Sequence, residues 1–283
     1  LTWDFDFNVA RNITTLEKLN SEAEYFGGGA YEYFKIKVGG KTGILYGYKY
    51  GGRLIRTNEE LVALKTVNPE TGQQQYYRDN NNYERPGDLY IMDLDGDGQI
   101  TADGDRTEIG NANPDFFGGF GTTLYWKGLM VNATFTYSVG ADRFYDEEKS
   151  SAGDINSYNV SKNVLKSWTM NPGVDRGYPR AMYYGWGSNS IITDRYVHDA
   201  SFLRLSALNI SYRLPKRLFG SSIVDAIDLT FQATNLFTWT KYPGMDPQGN
   251  FSTSYSAFYN MGIDYSSYPS ARTYNVGIKI TLK

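Results

Sequence analysis

The chain has 283 residues, of which 28 are basic and 31 acidic, giving a formal charge of −3; there is no cysteine and a single histidine. That balance excludes a disulfide scaffold and any thiolate site, and it lacks the positive footprint that nucleic-acid binding requires. No stretch approaches the roughly 18 apolar residues of a membrane helix, whereas 25 Tyr, 15 Phe and 30 Gly favour β-structure with many turns. The mean hydropathy of −0.49 does not oppose a membrane barrel, because barrel strands alternate apolar and polar residues.

Taken in chain order, the first candidate strand places Trp3, Phe5, Phe7 and Val9 against Asp4, Asp6 and Asn8. A glycine-rich segment at 116–126 follows, joined by Trp126, Lys127 and Gly128 to a strand in which Leu129, Val131, Ala133, Phe135, Tyr137 and Val139 oppose Asn132, Thr134, Thr136 and Ser138. Leu208, Ile210, Tyr212 and Leu214 then oppose Asn209, Ser211 and Arg213, and Ile227, Leu229, Phe231 and Ala233 oppose Asp228, Thr230, Gln232 and Thr234. In the last segment, 273–283, every even position is apolar, so Val276, Ile278 and Ile280 are expected to face lipid and Asn275, Lys279 and Thr281 the opposite side. The spacing therefore predicts six crossings, each near the 9 to 11 residues of a transmembrane strand.

Short links at 127–128 and 215–225 alternate with long ones at 12–115, 141–202 and 237–271. Outer-membrane barrels show this asymmetry, with tight periplasmic turns and long extracellular loops. Six strands cannot close a bacterial barrel, which starts at about 8, and an open edge in lipid leaves backbone groups unpaired. The remaining strands are expected in a longer polypeptide or in a second chain.

Several motifs resemble one family. They are the Gly- and Tyr-rich run at 45–52, Pro86-Gly87-Asp88, the aspartate loop from Asp93 to Gly98, and Asp105-Arg106-Thr107 with Ile109-Gly110-Asn111. Further along stand the segment 195–205, Asn235-Leu236-Phe237-Thr238-Trp239 and Tyr268-Pro269-Ser270-Ala271-Arg272. In this order they resemble the SusC/RagA-type TonB-dependent transporters of Bacteroidetes outer membranes. The resemblance implies a 22-stranded antiparallel barrel around an N-terminal plug, a TonB box reaching the periplasm, and a SusD-like surface lipoprotein as lid. Residues 1–283 are then expected to be the C-terminal part of such a barrel, with plug and earlier strands outside this chain.

The fold expectation is all-β, and the expected role is import of an oligomeric nutrient, a glycan first and a peptide second. The rival is a secreted, calcium-stabilised carbohydrate-binding β-domain. Catalysis is not expected, since His198 is the one histidine and Asp146, Glu147 and Glu148 fall in a loop. The polar strand faces, with Asp4, Asp6, Asn132, Thr134, Thr136, Arg213, Asp228, Gln232 and Lys279, are expected to line the lumen. Trp3, Trp126, Tyr137, Tyr212, Phe237 and Trp239 suit an interfacial girdle in contact with outer-membrane lipid. Loop aromatics, among them Tyr183, Tyr184, Trp186, Tyr255, Phe258 and Tyr259, are candidates for ligand stacking. Finally, Asp93, Asp95, Asp97 and Gln99 follow the spacing of an EF-hand-type calcium loop. Its twelfth position holds Gly104, so Asp105 is the expected closing ligand and calcium the expected ion.

Overall fold

The computed structural model describes residues 1–19, 24–27, 33–64, 66–67, 74–75, 85–153, 159–169, 177–182, 191–220, 223–249, 261–265 and 267–283. Six long strands form one antiparallel sheet: β1 (Thr2–Ala10), β2 (Phe116–Trp126), β3 (Leu129–Val139), β4 (Phe202–Arg213), β5 (Val224–Thr240) and β6 (Thr273–Leu282), in sequential order. All six are the strands expected from alternation, although β4 begins earlier and β5 runs further than the pattern suggested.

Register makes the two faces of the sheet chemically distinct. One row runs Trp3, Leu124, Val131, Ile210, Phe231, Val276, each opposite the next across the sheet. The neighbouring row, on the other face, runs Asp4, Thr123, Asn132, Asn209, Gln232, Asn275. A slip of one residue would exchange the faces of a whole strand, so this agreement across every pair fixes the register. The first face is the lipid side and the second the lumen side of a partial barrel. Leu229, Val276, Ile278 and Ile280 stand exposed on that face as expected of lipid contacts.

Two irregularities keep the faces in phase. Ser206 is an extra residue in β4 against the consecutive Thr134 and Phe135 of β3, and Asn235 and Leu236 of β5 oppose it from the other side. Asn235 absorbs the bulge by taking a positive φ of 53°, which asparagine tolerates better than most residues. Apolar positions therefore change from Leu203 and Leu205 to Leu208 and Ile210 without leaving the lipid face. At the short end of the sheet, Lys127 and Gly128 both have positive φ, 45° and 85°, the conformation of a two-residue hairpin turn whose twist matches the strands.

The buried core lies in the long loops, not in the sheet. Tyr33, Phe34, Leu45, Leu54, Ile55, Leu89, Ile91, Ile100 and Ile109 from the first loop pack with Phe144 and Tyr196 of the second and Ile263 of the third. Short strands support this dome: Ile44–Tyr48 pairs with Arg106–Asn111, and Asp142–Tyr145 pairs with both Val197–Asp199 and Ile263–Asp264. Helices α1 (Asn58–Ala63), α2 (Ala102–Asp105) and α3 (Asp146–Gly153) also lie in the long loops, together with further short strands and 3-10 turns.

Candidate functional site

The lumen face carries a hydrogen-bonded polar ladder. The Asn132 amide donates to Thr123 Oγ1 at 2.8 Å and the Asn209 amide donates to Asn132 Oδ1 at 3.2 Å. Nearer the short-turn end of the sheet, Arg213 grips Asp228 through Nε to Oδ1 at 2.7 Å and through its second nitrogen to Oδ2 at 3.1 Å, with Lys279 opposite Asp228. Of the residues expected to face the lumen, Asn132, Arg213, Asp228 and Lys279 take part in these contacts, joined by Thr123 and Asn209. Each side chain satisfies a neighbour while leaving polar surface towards the interior, which suits a water-filled or plug-filled space.

Where the lumen face meets the dome, Arg204 of β4 becomes a hub. Its guanidinium donates to Asp246 Oδ1 at 2.6 Å, Gln248 Oε1 at 2.7 Å and Thr238 Oγ1 at 3.0 Å. Asp246 also accepts from the Gln248 amide and from the Ser270 hydroxyl. Burial works to raise the Asp246 carboxyl, but those hydrogen bonds and Arg204 outweigh it and hold it below the usual carboxylate range. Beside this hub opens a cavity of about 380 Å³ lined by Asn235, Thr238, Asp246, Ser270 and Arg272, polar and of small-ligand size.

Charged pairs stitch the loops to one another. The fully buried Asp88 accepts from Arg180 Nε at 2.6 Å, tying the first loop to the second. The residues Asp146, Glu147 and Glu148, expected in a loop, instead open helix α3, because Asp146 is drawn inward to accept from the Tyr33 hydroxyl at 2.6 Å and to pair with Lys149 at 2.7 Å. Glu148 Oε2 lies 2.7 Å from His198 Nε2, and its other oxygen accepts from Tyr178. Burial, with Glu148 beside it, pushes the Tyr178 hydroxyl up to about 12. His198 is thus engaged with a carboxylate within the dome, its ring meeting those of Tyr145 and Tyr242 edge-on.

The aspartate loop is well formed. Carboxylate oxygens of Asp93, Asp95 and Asp97 lie within 4.8 Å of one another. Each also accepts a loop amide, Asp93 from Gly96 and Gly98, Asp95 from Asp97, and Asp97 from Gln99. Asp105 is fully buried and receives the amides of Leu94 and Thr101, both at 2.7 Å, so it braces the two ends of the loop. A Cβ on Gly104 would run into the Asp95 carboxylate, which accounts for the missing side chain at the twelfth position. The donor set, three carboxylates converging from one turn, has the hard oxygen chemistry that calcium takes.

Of the girdle candidates, Trp3, Trp126, Tyr212, Phe237 and Trp239 are exposed on the sheet, and the Trp3 indole donates to Thr122 at 2.6 Å, whereas Tyr137 is half-buried. The loop aromatics Tyr183, Tyr184, Trp186, Tyr255, Phe258 and Tyr259 lie outside the described residues.

No family model matches the chain. A TonB-dependent receptor of Formosa agariphila, P3, is 31% identical over 288 residues, spanning 99% of this chain and 26% of that protein. The TonB-dependent receptor SusC of Bacteroides thetaiotaomicron is 23% identical over 285 residues, spanning 99% of this chain and 24% of its own length. Among solved structures, the RagAB peptide transporter superposes with a TM-score of 0.64 at 24% identity over 98% of this chain and 27% of that one, which supports the fold. The chain spans about a quarter of the length of the relatives it matches.

Proposed function

The chain is homologous to about a quarter of a SusC/RagA-like TonB-dependent transporter of the outer membrane, a class that is not enzymatic, and from this premise we propose that it serves energised import of an oligomeric nutrient. The observation that carries the reading is the division of labour in the structure: a sheet with one apolar and one polar face, capped on the loop side by a packed dome. The polar face would border the transport path, and the dome would present the surface to which solute and a SusD-like lipoprotein lid come. Energy would arrive through TonB acting on a plug outside this chain. A secreted carbohydrate-binding module is the weaker reading, because it would have to hold Val276, Ile278 and Ile280 in water along an unpaired edge strand.

A glycan is our first choice of solute, on the aromatic richness of the loop sequences, and a peptide the second, by likeness to the RagAB peptide transporter. Uptake of labelled oligosaccharides and oligopeptides by cells carrying or lacking the whole transporter tests both. Loss of glycan uptake on deletion is the expected result; unchanged uptake of both classes would overturn the reading. We also propose that Asp93, Asp95 and Asp97, with the Gln99 carbonyl, hold calcium and thereby stiffen the first loop, while Asp105, expected as the closing ligand, has its two oxygens on the Leu94 and Thr101 amides and braces the loop instead.

A further inference from the structure

On the lipid face, at its loop end, lies a groove of about 540 Å³, within the range of small-molecule sites. Its floor is Leu203, and Tyr137 and Trp239 stand on either side, since the register runs Tyr137, Leu203, Trp239 across β3, β4 and β5. The gap has an identifiable cause. Gly118 of β2 has no side chain opposite Tyr137, so Tyr137 leans over it, stacks on Phe7 with ring centroids 6.1 Å apart, and donates its hydroxyl to the Asn8 carbonyl at 2.9 Å. Trp239 lies along its own strand against Phe237, centroids 6.0 Å apart. With Tyr137 committed to Phe7 and Asn8 and Trp239 set beside Phe237, the space over Leu203 stays open.

The rim above the groove is polar, formed by Asp199, Ser201 and Lys241 where the strands pass into the second and third loops. Lys241 is exposed and, among the described residues, makes no ion pair. The Asp199 carboxylate is turned onto Ser201, accepting both its amide and its hydroxyl through Oδ1. The groove is therefore an apolar slot opening on the membrane, with an unneutralised cation at the level of the headgroups.

We propose that this groove holds one acyl chain of a phosphorylated glycolipid of the outer leaflet, with Lys241 countering its phosphate and the Ser201 side of the rim facing its sugar. The occupant follows from position and charge. Continuity with the lipid face supplies acyl chains rather than solute or protein, the long-loop end selects the outer leaflet, and an unpaired ammonium selects an anionic headgroup. In bacterial outer membranes the lipid that combines these properties is the phosphorylated glycolipid that anchors surface polysaccharide.

The whole transporter containing this chain, purified in detergent and stripped of lipid, can be exposed to bis-phosphorylated lipid A, dephosphorylated lipid A and phosphatidylglycerol, with retained lipid counted by native mass spectrometry. The expected result is selective retention of one bis-phosphorylated lipid A, weakened on the order of fivefold by Lys241→Glu and strengthened by Asp199→Asn, neither of which changes a buried side chain. Leu203→Trp fills the slot and should abolish retention in protein whose heat-modifiable folded form is intact. Equal retention of phosphorylated and dephosphorylated lipid, indifference to Lys241→Glu, or equally strong binding of phosphatidylglycerol would each overturn the assignment.

Discussion

Replacing Leu208 by lysine places a charge on the lipid face midway along β4, between Ala133 of β3 and Ala233 of β5. At the bilayer midplane a lysine on that face costs roughly 2 to 4 kcal/mol, falling to at most about 1 kcal/mol near an interface. The two alanines leave no long neighbour to shelter the ammonium, so the upper part of that range applies. The control is Asn209→Lys, one residue along and on the polar face, which loses a 3.2 Å hydrogen bond to Asn132 worth about 1 kcal/mol and keeps its charge in a polar space. The difference between the two variants is then roughly 2 to 3 kcal/mol. Folded yield of the whole transporter in outer-membrane fractions, read from heat-modifiable mobility, measures it. Leu208→Lys should fall well below Asn209→Lys; equal yields, or the reverse order, would refute the facing of the sheet.

Three further outcomes are expected. Chelation of calcium, or Asp95→Ala, should expose the first loop to protease, and protection unchanged by both would remove the ion from the aspartate loop. Arg180→Ala leaves the fully buried Asp88 without its guanidinium and should loosen the dome by roughly 3 kcal/mol, seen as faster amide exchange around 85–91 with the strands unaffected. The Asp246 carboxyl is held below its usual value, so its contribution to docking the third loop is full above the ordinary carboxylate pKa and is lost as pH falls through the depressed one. Amide protection at 242–249 should therefore fall as the chain is acidified through that pKa, whereas Asp246→Asn should show the reduced protection already at neutral pH and lack this acid step; identical pH profiles of protection would count against the Arg204 hub.

The strands were readable because alternation is local: each of Ile227, Leu229 and Phe231 declares its face by its neighbours alone. Where the phase breaks, the reading broke with it. Ser206 hides the first half of β4, because Leu203 and Leu205 are odd and Leu208 and Ile210 even, and a bulge is visible only against partner strands. The dome was illegible for a stronger reason. Its strands are two to six residues long, as in Leu89–Ile91 and Ile263–Asp264, and its core joins residues as distant as Tyr33 and Ile263. The aspartate loop was recognisable by spacing, yet the bracing role of Asp105 on the Leu94 and Thr101 amides is a matter of geometry. Glu148 as the partner of His198 had no signal, being fifty residues away on a helix the sequence did not declare.

Because one apolar cluster draws side chains from all three long loops, no single loop can swing out alone without tearing open a shared interior of Phe144, Tyr196, Ile263 and their neighbours. Lifting Ile263 away, for instance, would also expose Phe144, to which its strand is paired. Any opening towards the exterior at this part of the rim must then come from whatever closes over the dome or from beneath it. Evolution of new solute preference here is constrained in the same way: insertions are tolerated at loop tips that take no part in the cluster, while the cluster itself behaves as a fixed plinth.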